Sequence, residues 1–300
     1  MILNSKNMKI KSYCLVFSLL INLSIFAQDT AVIREQKIYK TVGGKQLKAD
    51  VFYTVETQQK LLNPAIAFFH GGGWAYGSPD EFHNGCKRYA KKGFITFSFQ
   101  YRLSVNEDGS VPHPEITPVE SVMDARSAMR WLRENAISFH IDPDKIIAAG
   151  QSAGGQLALS TALIDDINEF TDNLVISPVP NALLLYSSNV NTVQPWVDRL
   201  LGDRRDEIWS VSPFHNLKAG LPPVIEDHGE EYCMEPIWIV RYFKEKTDLL
   251  GNHHELITIE GCGHYLGEGD KTYATYFNEE ILEQTDLFLE KFGFMNSSGK

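Results

Sequence analysis

Cysteine is scarce: four residues, Cys14, Cys86, Cys233 and Cys262, in a chain of 300. No two form a CxxC pair, and no His/Cys group has zinc-ligand spacing, so no metal site and no disulfide-built scaffold are expected. The three cysteines outside the N-terminal segment read as buried small hydrophobes. Positive charge is also in deficit, with 28 Lys and Arg against 38 Asp and Glu and a formal net charge of −10. Such an acidic chain is a poor partner for nucleic acid or an anionic membrane surface. An uninterrupted apolar run of the roughly 20 residues needed to span a bilayer is missing as well. There is no internal repeat, no low-complexity tract and no linker long enough to divide the chain.

What the N-terminus does have is Lys6, Lys9 and Lys11 ahead of an apolar run, Tyr13–Ala27, broken by Ser18, Asn22 and Ser24. The run closes on Ile25-Phe26-Ala27, the layout of a cleavable secretory signal. Residues 1–27 are therefore expected to be removed, leaving 28–300 as a single domain that is secreted or periplasmic. No stable membrane association is expected after cleavage. Loss of the three lysines would take the net charge to about −13.

In the remaining chain, short apolar runs alternate with helical patterns. Strands are expected at Leu47–Tyr53, Ala65–His70, Phe94–Gln100, Ile146–Ala149, Ala182–Tyr186, Pro223–His228 and Glu255–Glu260. Helices are expected at Thr117–Phe139, Ala153–Ile164, Met234–Leu249 and Tyr273–Phe292. Unbroken apolar strands separated by helices predict an α/β fold with a mainly parallel sheet covered on both faces. The segment 189–220 has no strong period and reads as an insertion able to roof part of a site.

Three motifs carry chemistry. Gly150-Gln151-Ser152-Ala153-Gly154 lies between an expected strand and helix, the setting of a nucleophile elbow, where a sharp turn exposes a serine hydroxyl above the sheet. His70-Gly71-Gly72-Gly73-Trp74 ends an earlier strand, and its glycines leave backbone N–H groups free to face a carbonyl oxygen. His264 sits in the loop Gly261-Cys262-Gly263-His264-Tyr265 after the last strand, where chain order places the general base that takes the serine proton.

Together with Tyr101-Arg102, Asp124-Ala125, Trp131-Leu132-Arg133 and Ile141-Asp142-Pro143, these motifs resemble the hormone-sensitive-lipase-like and acetylxylan/feruloyl esterase-like α/β hydrolases. The resemblance covers about residues 45 to 292. It implies an α/β-hydrolase fold, an oxyanion hole formed by the N–H groups of Gly72, Gly73 and Ala153, a scaffold role for Asp124, and no cofactor. The substrate it implies is a small-molecule or carbohydrate ester, such as an acetyl or feruloyl ester of polysaccharide.

The triad acid departs from the family pattern, which has an Asp a few residues after a strand ending in His-Gly. Here the stretch is Glu226-Asp227-His228-Gly229-Glu230-Glu231-Tyr232-Cys233-Met234-Glu235, and an ungapped comparison puts Tyr232 at the acid position. Tyrosine stays neutral near pH 7 and cannot serve. A one-residue slide makes Glu231 the expected acid, with Glu230 and Asp227 next. Glu226 and Asp227 are unusual in a buried strand, so either the strand ends early or one carboxylate has a charged or histidine partner. The expected activity is hydrolysis of carboxylic esters through a Ser152 acyl-enzyme. A degenerate hydrolase that binds a small ligand without turnover, and a serine peptidase, are the alternatives.

Overall fold

In the computed structural model, residues 31–231, 233–266 and 279–296 are described. The expected signal segment, Tyr232 and the first part of the expected closing helix lie outside them. Among the described residues, eight strands form one sheet: β1 (Val32–Val42), β2 (Lys45–Thr54), β3 (Asn63–Phe69), β4 (Ile95–Phe99), β5 (Ile141–Gln151), β6 (Ala182–Tyr186), β7 (Val224–Gly229) and β8 (His254–Ile259). Their order across the sheet is β1-β2-β4-β3-β5-β6-β7-β8. The first two pairings are antiparallel, and the strands from β4 to β8 run parallel. This is the α/β-hydrolase fold that the motifs imply.

The helices are α1 (Val55–Gln59), α2 (His83–Lys91), α3 (Pro118–Glu134), α4 (Ala153–Leu163), α5 (Pro195–Leu201), α6 (Ile237–Leu249) and α7 (Glu279–Lys291). The central strands alternate their side chains between two cores. Ala65, Ala67 and Phe69 enter one with Ala148, Leu183 and Leu185. Ile66 and Phe68 enter the other with Ile147, Ala149, Leu184 and Ile225. Both faces are covered, which is why these strands are apolar throughout.

Local chemistry sets the element ends. Thr117 caps α3, accepting from the Val119 N–H, while Glu120 reaches back to the Thr117 N–H and Pro118 opens the first turn. That helix stops at Asn135 and not at Phe139. The strand expected at 47–53 is longer, and β1, which pairs with it along the edge, had no counterpart among the expected elements. The segment 189–220 folds as α5 and two 3-10 turns, Gly202–Ile208 and Pro213–Asn216.

Parallel register brings the carboxyl ends of β5, β6, β7 and β8 to one edge, with Gln151 opposite Tyr186 and Tyr186 opposite Asp227. Loops leaving that edge are where an open α/β sheet places its ligand site.

Candidate active site

Ser152 follows β5 directly and stands ahead of α4 with φ 53° and ψ −118°, a strained conformation for a residue with a side chain. Its N–H donates to the Tyr186 carbonyl at 3.0 Å, and its carbonyl accepts from Asn189 and Gln156, both at 3.1 Å. The turn closes because Gly150 and Gly154 have no side chains. A Cβ on Gly150 would lie 2.2 Å from the Gly154 oxygen, and one on Gly154 would lie 1.9 Å from the Phe69 oxygen.

The glycine loop faces this turn. Gly72 and Gly73 take φ of 107° and 59°, and a Cβ on Gly72 would meet the Tyr76 carbonyl at 2.2 Å. His70 does not join the chemistry. It stacks on Tyr101 at 4.3 Å, the Tyr101 hydroxyl donates to its carbonyl at 2.8 Å, and burial pushes its imidazole down to about 4. Glu81 accepts from the Gly71 N–H at 3.1 Å, and Trp74 donates to Gln156 at 2.9 Å. These bonds anchor both ends of the loop to the scaffold. Asp124, also fully buried, is held by Arg102 at 2.8 Å and Lys40 at 2.7 Å.

Gly72, Gly73, Ser152 and His264 line one cleft of about 360 Å³, walled by Trp74, Tyr76, Trp196, Met234 and Tyr265. Ala153 supplies the first N–H of α4, which has no acceptor within the helix. Asn189 and Gln194, with Trp196, come from the 189–220 segment, and the Trp196 indole donates to the Gly73 carbonyl at 3.1 Å.

The surroundings of His264 differ from the expected ones. The Gln151 amide nitrogen lies 3.1 Å from His264 Nε2, and because an amide nitrogen only donates, Nε2 is the accepting nitrogen and Nδ1 carries the proton. That is the tautomer a general base needs. Among the described residues, no carboxylate faces Nδ1. Its partner is Cys233 Sγ at 3.3 Å.

Glu231, expected as the acid, is exposed, and its backbone N–H is tied to the Cys262 carbonyl at 3.0 Å. Glu230 is also exposed and pairs with Arg241 at 2.8 Å. Asp227 is buried on the opposite side of β7 from Glu226, its carbonyl accepting from the Ser187 N–H at 2.8 Å and its carboxyl oxygens meeting no hydrogen-bond donor among the described residues. Burial, Glu226 and Glu280 push its carboxyl well above the usual carboxylate range. Among the described residues, Glu231, Glu230 and Asp227 therefore do not stand behind His264, where a triad acid was expected; Cys233 does, buried as expected but also in contact with the base nitrogen.

Glu226 resolves its own oddity. The strand does not end early, and Glu226 Oε1 lies 3.7 Å from His228 Nδ1 while Oε2 lies 3.4 Å from His254 Nε2. Burial raises its carboxyl, but the two imidazoles prevail and bring it down to about 2. Among the described residues, one trio outside the cleft, Asp50, Asp80 and His83, gathers three potential metal-ligand atoms. Arg34 and Gln36 already bond the Asp50 carboxylate at 2.9 and 3.1 Å.

A family model described as BD-FAE matches residues 49–237. The chain belongs to the BD-FAE family. Over nearly its whole length, this BD-FAE chain is similar to the solved esterase 2 of Thermogutta terrifontis. The native form of that protein is 33% identical, with a TM-score of 0.79, covering 89% of this chain and 95% of that one. Among curated proteins it is similar to Esterase LipC of Mycobacterium tuberculosis, 24% identical over 67% of this chain and 52% of LipC. It is also similar to Juvenile hormone esterase of Heliothis virescens, 38% identical over 32% of this chain and 17% of that protein. The chain thus spans at most about half the length of these two curated relatives. Family and whole-length structural likeness place the BD-FAE chain among the carboxylic ester hydrolases.

Proposed function

We propose that this protein is a secreted serine esterase that cleaves short-acyl carboxylic esters through an acyl-enzyme on Ser152. The observation that carries this reading is the convergence of Ser152, held in its strained turn, with the open glycine loop and a correctly tautomerised His264 in one cleft.

In the proposed cycle, substrate enters between Trp196 and Tyr265 and its carbonyl oxygen turns toward the amides of Gly72, Gly73 and Ala153. Ser152 Oγ replaces the Gln151 amide at His264 Nε2, passes its proton there and attacks the carbonyl carbon. The amides stabilise the oxyanion, each such donor being worth about 10²–10³ in rate in a measured case. His264 then protonates the leaving alcohol, and water repeats the sequence to release the acid. The Thermogutta esterase 2 has been seen with propionate and with butyrate bound, which supports a short acyl group here. The aromatic walls of the cleft also suit a feruloyl ester of polysaccharide. Secretion rests on the layout of residues 1–27.

The test is hydrolysis of p-nitrophenyl acetate, butyrate and a feruloyl ester, comparing the wild type with Ser152→Ala and His264→Ala. Loss of about 10⁴-fold or more in kcat in both variants is expected. Wild-type rates no higher than those of Ser152→Ala on all three esters would sink the reading. The second reading, a ligand-binding protein without turnover, draws on the Gln151 amide lying against the base nitrogen, and that result would favour it.

A further inference from the structure

Behind the base lies a chain of buried polar groups that the cleavage chemistry above does not use. Cys233 Sγ stands 3.3 Å from His264 Nδ1, and Cys233 is 6% exposed. Beside it is His228, fully buried at the end of β7, whose Nε2 donates to the Glu235 carbonyl at 2.9 Å and whose Nδ1 faces Glu226. The far oxygen of Glu226 meets His254 from β8, and Ser188 donates to the near one at 2.5 Å.

We propose that Cys233, as a thiolate, is the positioning residue behind His264, backed by the buried His228–Glu226 pair, so that the site runs on serine, histidine and cysteine. This inference rests on the esterase reading.

Geometry decides which way the hydrogen bond runs. The Gln151 amide donates to Nε2, so the ring proton is on Nδ1, and Cys233 must accept it. A thiol that donated to Nδ1 would drive the ring proton onto Nε2, where two donors would then face each other. A thiolate is a good acceptor and a thiol a poor one.

The described groups facing the sulfur agree. Burial raises the Cys233 thiol, but the His228 and His264 rings outweigh it and bring it down to about 6. His228 is itself disfavoured as a cation by burial, yet Cys233 and Glu226 hold it up to about 10. Glu235, whose carboxylate accepts from the Asn191 N–H at 3.0 Å, is pushed up to about 8 by burial, so at neutral pH it is mostly uncharged and does not oppose the sulfur. Asp227, on the other face of β7, has its carboxyl pushed well above the usual carboxylate range by burial and by Glu226 and Glu280. The charges therefore alternate, Glu226 negative, His228 positive, Cys233 negative, with the developing His264 imidazolium next. No proton crosses to sulfur at any step. The Nδ1 proton stays on the ring while Nε2 takes and returns the serine proton.

The test uses the intact protein with p-nitrophenyl acetate, comparing Cys233→Ser, Cys233→Ala, Cys233→Asp, His228→Gln and Cys233→Ser/His228→Gln. Cys233→Ser and Cys233→Ala should lower kcat by about 10²–10³-fold with little change in KM, somewhat less than the ~10⁴ lost when a triad acid becomes an amide. Cys233→Asp should recover most of that loss. The acidic limb of the kcat/KM profile should move to lower pH in Cys233→Ser, because the imidazolium loses its neighbouring anion, and return in Cys233→Asp. His228→Gln should slow the wild type and leave Cys233→Ser unchanged, since it acts only through the sulfur.

Fluorophosphonate labelling of Ser152 keeps the two readings apart. A wild type that labels and turns over, with Cys233→Ser and Cys233→Ala matching its kcat and pH profile, overturns this proposal and leaves the esterase reading intact. A wild type that neither labels nor turns over ends both. If the substituted proteins fail to fold, far-ultraviolet thiolate absorbance of the wild type decides. It should be present at pH 7 and lost near pH 5, and a thiol that stays neutral to pH 8 contradicts the proposal.

Discussion

On the β3–β5 side of the cleft, close backbone approaches do most of the positioning. Gly72, Gly73, Gly150 and Gly154 admit close approaches, Ser152 is strained by the turn around it, and the nearby titratable groups His70 and Glu81 serve the loop. On the β7–β8 side, one close backbone approach, Gly229 against the Cys262 and Gly263 carbonyls, is joined by a set of buried ionisable groups: Glu226, His228, His254, Cys233 and Glu235. One half fixes geometry by leaving atoms out, the other by setting charges against one another. The first tolerates no added side chain. The second tolerates a different anion, provided its neighbours support it.

The sharpest way to break this contrast is to add one methyl group to the first half. Gly154→Ala places a Cβ against the Phe69 and His70 carbonyls at 1.9 and 2.5 Å, both backbone atoms that cannot step aside. A loss of about 3–5 kcal/mol is expected, enough to abolish soluble protein. Thermal unfolding of any soluble fraction checks it, and a Gly154→Ala protein as stable as the wild type would refute the account of the turn.

A smaller effect is expected from Glu226→Gln in the second half, which leaves two buried imidazoles without their anion. The expected cost is about 3 kcal/mol and a fall in Tm of roughly 5–10 °C at pH 7. The pH dependence carries a sign. A carboxyl held below its ordinary value contributes stability that is present in full above the unfolded value. That contribution is lost as pH falls through the folded one, here about 2. The wild type should therefore lose stability between about pH 5 and 2, and Glu226→Gln should flatten that part of the curve.

The smallest expected effect belongs to Glu231→Gln. An exposed side chain whose carboxylate does not reach His264 should change kcat by less than about 2-fold. A 100-fold loss would return the acid role to Glu231 and dissolve the distinction between the two halves.

The same contrast explains what could be read without coordinates. The β3–β5 side is written in contiguous residues: a glycine run after an apolar strand and a serine between glycines, each with its reason in its neighbours. The β7–β8 side depends on where a loop turns. Glu231 is the nearest acidic residue by alignment, but the chain carries it to solvent and returns with Cys233, a residue type outside the usual list of acids. A signal was available in β7, where Glu226 and His228 alternate at period two and so share a face, away from Asp227. Edge strand β1, with charged residues along its exposed positions, and α2, polar except for Gly85, Cys86, Tyr89 and Ala90 on its buried face, gave too little apolar pattern to be seen.

The central claim is that Ser152 carries an acyl group during turnover. Rapid acid quenching of the protein with p-nitrophenyl acetate, followed by peptide mass analysis, tests it most directly. The account predicts an acetyl adduct on the peptide containing Ser152, formed with a burst of nitrophenol and absent from Ser152→Ala. Turnover well above the Ser152→Ala rate, with no adduct at Ser152 under any quench time, would contradict it.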